Sequence, residues 1–383
     1  MISQPFSIEP QLFSWARERS RREAEYLEKK FPKLDRWESG EESPSLRDLE
    51  RFAEATYTPF GLFFLPQPPP DELQIPDFRT MADQAIKQPS ADLLETIAIC
   101  EQRQAWFREY LVESDTEPVA LVGSLLVGMS TEVAARVIKN HLALDEMGPE
   151  DLGRLDDPVL WLAQRAEQHG LLIMISGIVA DNTHRPLDPS EFRGFALADR
   201  YAPTIFVNAA DAKTAQLFTL VHELPHIGRN QSAVSNPSLG RKATSDFERW
   251  CNEVAAEFLV PAIALRLELQ LDVDPAEQAE AIARRYRVSK LVILRRLFDM
   301  GLLEWDQFRE HYVTSLRAVA KVAARSSGGT YYNSKPYRVS PRFARALFED
   351  TISGRTLESD AYSLLQVRKT ATFEQLRQKL GIV

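Results

Sequence analysis

The 383-residue sequence contains only two cysteines, Cys100 and Cys251. Two thiols exclude a disulfide framework and a zinc site built from several cysteines, and they fit a reducing compartment. Long apolar runs are also missing. The longest, around residues 119–129 and 171–179, fall short of the ~20 residues that a membrane span needs. The first ten residues, MISQPFSIEP, have neither a basic start nor an apolar core, so no secretory leader is expected and the expected location is cytoplasmic. Basic excess is absent as well: 46 Lys and Arg stand against 55 Asp and Glu, a net charge of −9. An acidic chain lacks the broad positive field of a general nucleic-acid binder, so any DNA contact must be local. What remains is ordinary globular composition, 44% apolar and 26% charged, enough for two or three domains with cores of their own.

Residues 10–65 read as short helices. PQLFSWARERS is the first, REAEYLEKKF the second, and FPKLDRWESGE the third, ended by Gly40. Ser45 is placed to cap a fourth helix, in which Leu46, Leu49, Phe52 and Ala53 keep helical spacing. Five prolines between positions 66 and 76 cannot continue a helix or a central strand. The expected division is therefore a helical domain at 1–65, a proline-rich linker at 66–77, a helical region with the functional core at 78–270, and a C-terminal helical domain at 271–383. Residues 171–180 and 204–208 read as β-strands, and the segment between them as turns. Residues 325–340 read as a loop or hairpin around Gly328-Gly329. The expected fold class is mostly α with a small β-sheet, that is, α+β.

Of six histidines, two frame the sequence His222-Glu223-Leu224-Pro225-His226. On a helix, residues four apart share a face, so both imidazoles can reach one ion. The glutamate between them can serve as a general base toward water, which zinc makes nucleophilic near neutral pH. The alternative is a solvated or capping histidine pair. A third protein ligand is needed, and Glu248, Glu253 and Glu257 on the next helix all qualify by type. Glu248 and Asn252 are one turn apart, a ligand with a polar neighbour to orient it. Glu248 also completes a capping box with Ser245, which would use its side chain only to end a helix. Glu253 and Glu257 read more readily as solvated surface. Pro225 inside the motif removes a backbone hydrogen bond, at a cost of roughly 3 kcal/mol, and is expected to kink the helix and move His226. His184, Arg200 and Tyr201 are candidates to stabilise an oxyanion.

The stretch FTLVHELPH, preceded by TIFVN and followed by ERWCNEVAAEFLVP, resembles the ImmA/IrrE metallopeptidase family. The resemblance implies a zincin-like HExxH core, with His222, His226 and Glu248 as Zn2+ ligands and Glu223 as general base. It also implies a zinc-dependent endopeptidase acting on a partner repressor-like protein to control gene expression. Two positions depart from the family pattern: Pro225, where glycine or alanine is usual, and Gly228-Arg229-Asn230, where an apolar stretch is usual. RWESGEESPSLRDLERFA resembles the Xre-type helix-turn-helix that such proteins carry. That likeness implies DNA as a partner, with Arg17, Lys33 and Arg36 as candidate contacts. The physical signal is balanced, since residues 10–60 hold ten basic and eleven acidic side chains. The competing reading is a DNA-binding regulator or antitoxin of a toxin-antitoxin pair on an inactive peptidase scaffold. Candidate partners are thus a protein substrate, a cognate regulator or toxin, DNA, and a second copy of the chain. No membrane partner is expected. A second helix-turn-helix-like stretch, 282–297, reads as a structural subdomain. The strands at 171–179 or 204–208 are expected to offer an edge to an extended peptide substrate.

Overall fold

In a computed structural model of the chain, residues 8–70, 73, 75–77, 88–235, 245–270, 272–311, 314 and 331–382 are described. Contacts divide the chain into two units, Met1–Gln74 with Met81–Ala98, and Ile75–Thr80 with Ile99–Val383.

In the first unit, four short helices follow one another: α1 (Gln11–Ser20), α2 (Ala24–Lys30), α3 (Leu34–Glu38) and α4 (Leu46–Thr56). Local sequence accounts for their ends. Gly40 takes φ +77° after α3, and the Ser45 hydroxyl accepts the Asp48 N–H at 3.2 Å to cap α4. An aromatic cluster holds them together. Phe52 meets Phe31 edge-on at 5.3 Å and Trp37 at 6.1 Å, and Phe13 lies 5.8 Å from Trp37.

α5 (Ala91–Glu113) carries the chain into the second unit. There α6 (Thr131–His141), α7 (Pro149–Arg154) and α8 (Pro158–Gln168) lead to β1 (Leu172–Ser176). β2 (Gly194–Leu197), β3 (Thr204–Asn208), α9 (Lys213–Gly228), β4 (Ala233–Ser235) and α10 (Asp246–Leu259) follow. α11 (Ala262–Glu268), α12 (Pro275–Tyr286) and α13 (Lys290–Asp299) come next. The C-terminal helices are α14 (Tyr331–Val339), α15 (Pro341–Ile352), α16 (Glu358–Leu365) and α17 (Thr370–Lys379). The fold is therefore α+β, mostly helical with one small sheet. No helix among the described residues is long and apolar enough to cross a membrane.

The strands lie in the order β1-β3-β2-β4, with β1 parallel to β3 and the other pairs antiparallel. Residues 204–208 thus form a central strand, so the expectation that they present a free edge is corrected: both sides are paired, with β1 and β2. Strand alternation separates two faces. Ile173, Ile175, Ala196, Ile205 and Val207 join the main core with α9, while Phe195 and Phe206 stack at 4.9 Å on the other face. β2 is too short to show periodicity, and so it reads as part of the turn segment between the two expected strands.

Gly194 of β2 is small because α9 passes close by. A Cβ there would stand 2.5 Å from Thr219 Cγ2, 2.8 Å from the Phe206 carbonyl oxygen and 3.1 Å from Glu223 Oε1. Gly194→Ala is expected to destabilise the protein by about 1–3 kcal/mol, read as a lower urea midpoint at unchanged slope. An unchanged midpoint would show that α9 does not rely on this contact.

One expectation is corrected in the C-terminal part. Residues 325–330 lie outside the described residues, but 331–339 form α14 rather than a loop or hairpin. Burial overrides their polar composition: α14 packs on β1, and Lys335 and Val339 are buried. The stretch 282–297 is structural, as its sequence suggested. Ile282, Val292, Ile293, Leu294 and Leu297 sit in the same core as the sheet, and Arg296 is buried against Glu257.

α8 also carries a buried carboxylate. Glu167 accepts hydrogen bonds from the Ser340 hydroxyl and, at 3.3 Å, from the Arg342 N–H. Burial nonetheless pushes its pKa up to about 7, outweighing those donors. A carboxyl raised from 4.5 in the unfolded chain binds more protons when folded, so its contribution is complete below pH 4.5 and lost as pH rises through 7. The difference is on the order of 3 kcal/mol. Wild-type stability relative to Glu167→Gln is expected to fall between pH 5 and pH 8 in urea melts. A gap independent of pH would contradict it.

Candidate metal centre

The spacing of α9 decides where its polar side chains go. Leu217, Leu220, Val221, Leu224 and Ile227 fill the main core. That stripe turns His222, Glu223 and His226 to the flank of the helix, toward α10 and the sheet. α10 packs against α9, and Cys251, Val254, Ala255 and Phe258 are its buried anchors.

Together these helices join His222, His226 and Glu248. Their ligand atoms all lie within 4.8 Å of one another. His222 Nε2 is 3.3 Å from Glu248 Oε2, and His226 Nε2 is 3.1 Å from Glu248 Oε1. All three residues are buried. Both ring nitrogens of His222, one oxygen of Glu248 and one of Glu223 are buried without a geometrically sound hydrogen bond. Buried polar atoms left in this way are costly unless something else satisfies them. The donor set, two imidazoles and a carboxylate, suits a divalent transition metal such as zinc.

Electrostatics agree with that fit. Burial alone would raise the Glu248 pKa, but His222 and His226 beside it hold the carboxyl down to about 2. Burial alone would lower that of His222, yet Glu248 outweighs it and the net shift is upward. Burial raises Glu223, against the pull of His226 and His222. Two carboxylates in one buried pocket thus call for positive charge, which a protonated His222 or a divalent cation can supply.

The two readings of Glu248 turn out to be compatible. The Ser245 hydroxyl accepts the Glu248 N–H at 3.1 Å, so the backbone caps α10. The Glu248 side chain is left free to face the histidines. Glu253 is half-buried, and it is not part of the cluster. Glu257 is corrected from solvated surface: it is buried and paired with Arg296, and it accepts the Ala262 N–H at 3.3 Å. Asn252 lies one turn beyond Glu248 and contributes to the upward shift of His222. Pro225 does not break the helix. α9 runs unbroken from Lys213 to Gly228, and His226 stays against Glu248. Packing on every side holds the helix despite the lost bond.

Three features of the centre escaped sequence reasoning. Ser235 of β4, fully buried, donates a hydrogen bond to Glu223 Oε1 and leaves Oε2 open. Gly194 makes room for that carboxylate. Phe247 stands edge-on to His226 at 5.1 Å and stacks with Trp250 at 5.9 Å. Only the neighbouring ExxxN spacing hinted that residues around 247 matter.

The remaining candidate residues have these surroundings. His184 is exposed on its loop, where its N–H binds Asn182 Oδ1 at 3.0 Å. Arg200 is exposed, and its carbonyl accepts the Val119 N–H at 2.8 Å. The Tyr201 N–H is bound to Asp199 at 2.8 Å. In the first unit, each candidate DNA contact meets a carboxylate. Arg17 is 3.2 Å from Glu38, Arg36 is 3.6 Å from Glu42, and Lys33 also pairs with Glu42. α3, which carries Arg36, has only five residues.

Residues 166–298 match the family model Peptidase_M78, described as the IrrE N-terminal-like domain. Residues 339–379 match a domain of unknown function, DUF8813. No curated protein is a significant match to the chain. The first match contains all four strands and both helices of the centre, so the part of the chain that builds the centre, residues 166–298, is similar to IrrE N-terminal-like domains of the Peptidase_M78 type.

Proposed function

We propose that the protein is a zinc-dependent endopeptidase that cuts a regulatory, repressor-like protein. One observation carries the reading: His222, His226 and Glu248 converge within 4.8 Å, with Glu223 pinned beside them by Ser235. His222, His226 and Glu248 would hold the ion. When bound, zinc supplies Lewis-acid activation of water and of a scissile carbonyl. The protein's own groups then handle the proton. Glu223 is fixed through Oε1, so Oε2 is free to take the proton from the attacking water and pass it to the leaving amine nitrogen. Burial keeps Glu223 basic enough for that exchange, since its pKa lies above the ordinary carboxylate value.

The paired state of Arg17, Lys33 and Arg36 favours a regulatory rather than a general DNA-binding role for the first unit. The cleaved repressor and the reducing, cytoplasmic setting belong to the same reading. The test is metal analysis of protein purified without chelator. About one zinc per chain is expected, and metal-free protein that takes up none on titration would overturn the proposal.

A further inference from the structure

A cavity of about 560 Å³ opens between α5, α8, α14 and α15 and shares no residue with the metal centre. Its volume falls within the roughly 300–1,000 Å³ of small-molecule sites. Phe107, Tyr110 and Tyr337 give it aromatic walls. It also joins the two matched regions. Glu167 and Gln168 belong to the first, and Arg342, Arg345 and Lys379 to the second.

The charges of the cavity are unbalanced. Arg342, Arg345 and Lys379 line it against two carboxylates, Glu167 and Glu349. Glu167 is already engaged by the Ser340 hydroxyl and the Arg342 N–H. Arg342 and Arg345 stand three residues apart on α15 and so share a face. Neither guanidinium lies within 4.0 Å of a carboxylate among the described residues. Arg342 is also held in place. Its Nη1 donates to the Glu167 carbonyl oxygen at 2.7 Å, and its guanidinium lies 5.5 Å from the centre of the Phe107 ring. Burial draws its pKa below the ordinary guanidinium value, against the pull of Glu167. A cation that is fixed and partly desolvated, with no carboxylate on it, favours a bound anion. Its planar fork can grip a carboxylate or a phosphate at two points.

A second set of groups suits the edge of a ring. Gln164 donates from Nε2 to the Tyr337 hydroxyl at 2.9 Å, and Gln168 Oε1 accepts from Arg165 at 3.2 Å. That leaves Gln164 Oε1 as an acceptor and Gln168 Nε2 as a donor. A flat heterocycle packed on the aromatic walls carries matching groups on its edge.

We infer that this cavity binds a small anionic heterocycle, with its ring on the aromatic walls and its phosphate or carboxylate on Arg342 and Arg345. The inference is independent of the peptidase reading. Such a ligand touches both α8 and α15, and so ties the two matched regions together.

The test is titration calorimetry on the full-length protein. Adenosine 5′-monophosphate probes the phosphate and orotate the carboxylate, and the tighter of the two identifies the anion. That probe is expected to bind at least about tenfold more tightly than its uncharged counterpart, adenosine or uracil, because the anion adds charge-assisted hydrogen bonds. Arg345→Glu is expected to weaken it about tenfold while the uncharged counterpart is unaffected. Arg345 is exposed, so the fold should tolerate the change, and Arg345→Ala serves should charge reversal impair folding. Glu248→Ala, which disables the metal centre, is expected to bind the probe as wild type does. The proposal is overturned if neither probe binds more tightly than about 1 mM. It is equally overturned if the uncharged counterpart binds as well, if the Arg345 variant changes nothing, or if Glu248→Ala abolishes binding.

Discussion

Glu248→Ala is expected to reduce bound zinc from about one per chain to less than about 0.1, while Glu253→Ala retains it. The argument is geometric. Glu248 is the only carboxylate that the described residues place against both His222 and His226, at 3.3 and 3.1 Å. Without it two imidazoles remain, too few for a stable tetrahedral site. The same substitution should leave the helix end intact, because the Ser245 cap uses the backbone N–H of residue 248. Thermal melts separate the two effects. A chelator is expected to lower the Tm of wild type and to leave that of Glu248→Ala unmoved, since a ligand that binds only the native state stabilises in proportion to its occupancy. Full zinc content in Glu248→Ala would remove this residue from the site.

Glu223→Gln is expected to lower kcat by about 10³-fold while zinc content and Tm hold. General base catalysis contributes 10²–10⁴-fold, and glutamine cannot take a proton from water. Glutamine does keep an oxygen to accept from Ser235, and it removes a buried charge that burial disfavours. The variant therefore changes the chemistry and not the fold. Labelled casein and, in time, the product of a neighbouring gene are suitable substrates. Retained activity with retained zinc would leave Glu223 without a proton-transfer role and would favour the scaffold reading.

How much was legible beforehand depended on whether the signal was local. The HExxH spacing is local, because a helix face repeats every three to four residues, and the structure keeps both histidines on one flank of α9. The cap at Ser45, the turn at Gly40 and the strand at 204–208 are local in the same sense. Glu248 was half legible. Its spacing to Asn252 marked it, but Ser245 offered an equally good local use, and only the approach of α10 to α9 showed that both uses coexist.

Pro225 shows the opposite limit. Local chemistry says that proline weakens a helix. The packed surroundings of α9 outweigh that cost and carry the helix on to Gly228. Residues 331–339 were misread for a related reason: a polar, proline-containing stretch becomes helical because one side is buried on β1. The charged residues of the first unit were counted correctly but could not be paired, since Arg17 and Glu38 lie on different helices.

The sequence by itself determined the class of chemistry: two histidines and a glutamate at helical spacing, few thiols and an acidic balance leave a His-and-carboxylate metal centre as the principal candidate. Tertiary structure alone decided which carboxylate faces the histidines, which oxygen of Glu223 is held, and that residues 75–77 lie on the strand beside it. The reason is sequence distance. Ser235 is twelve residues from Glu223 and Pro76 far further from Val234, and periodicity carries no information across such gaps.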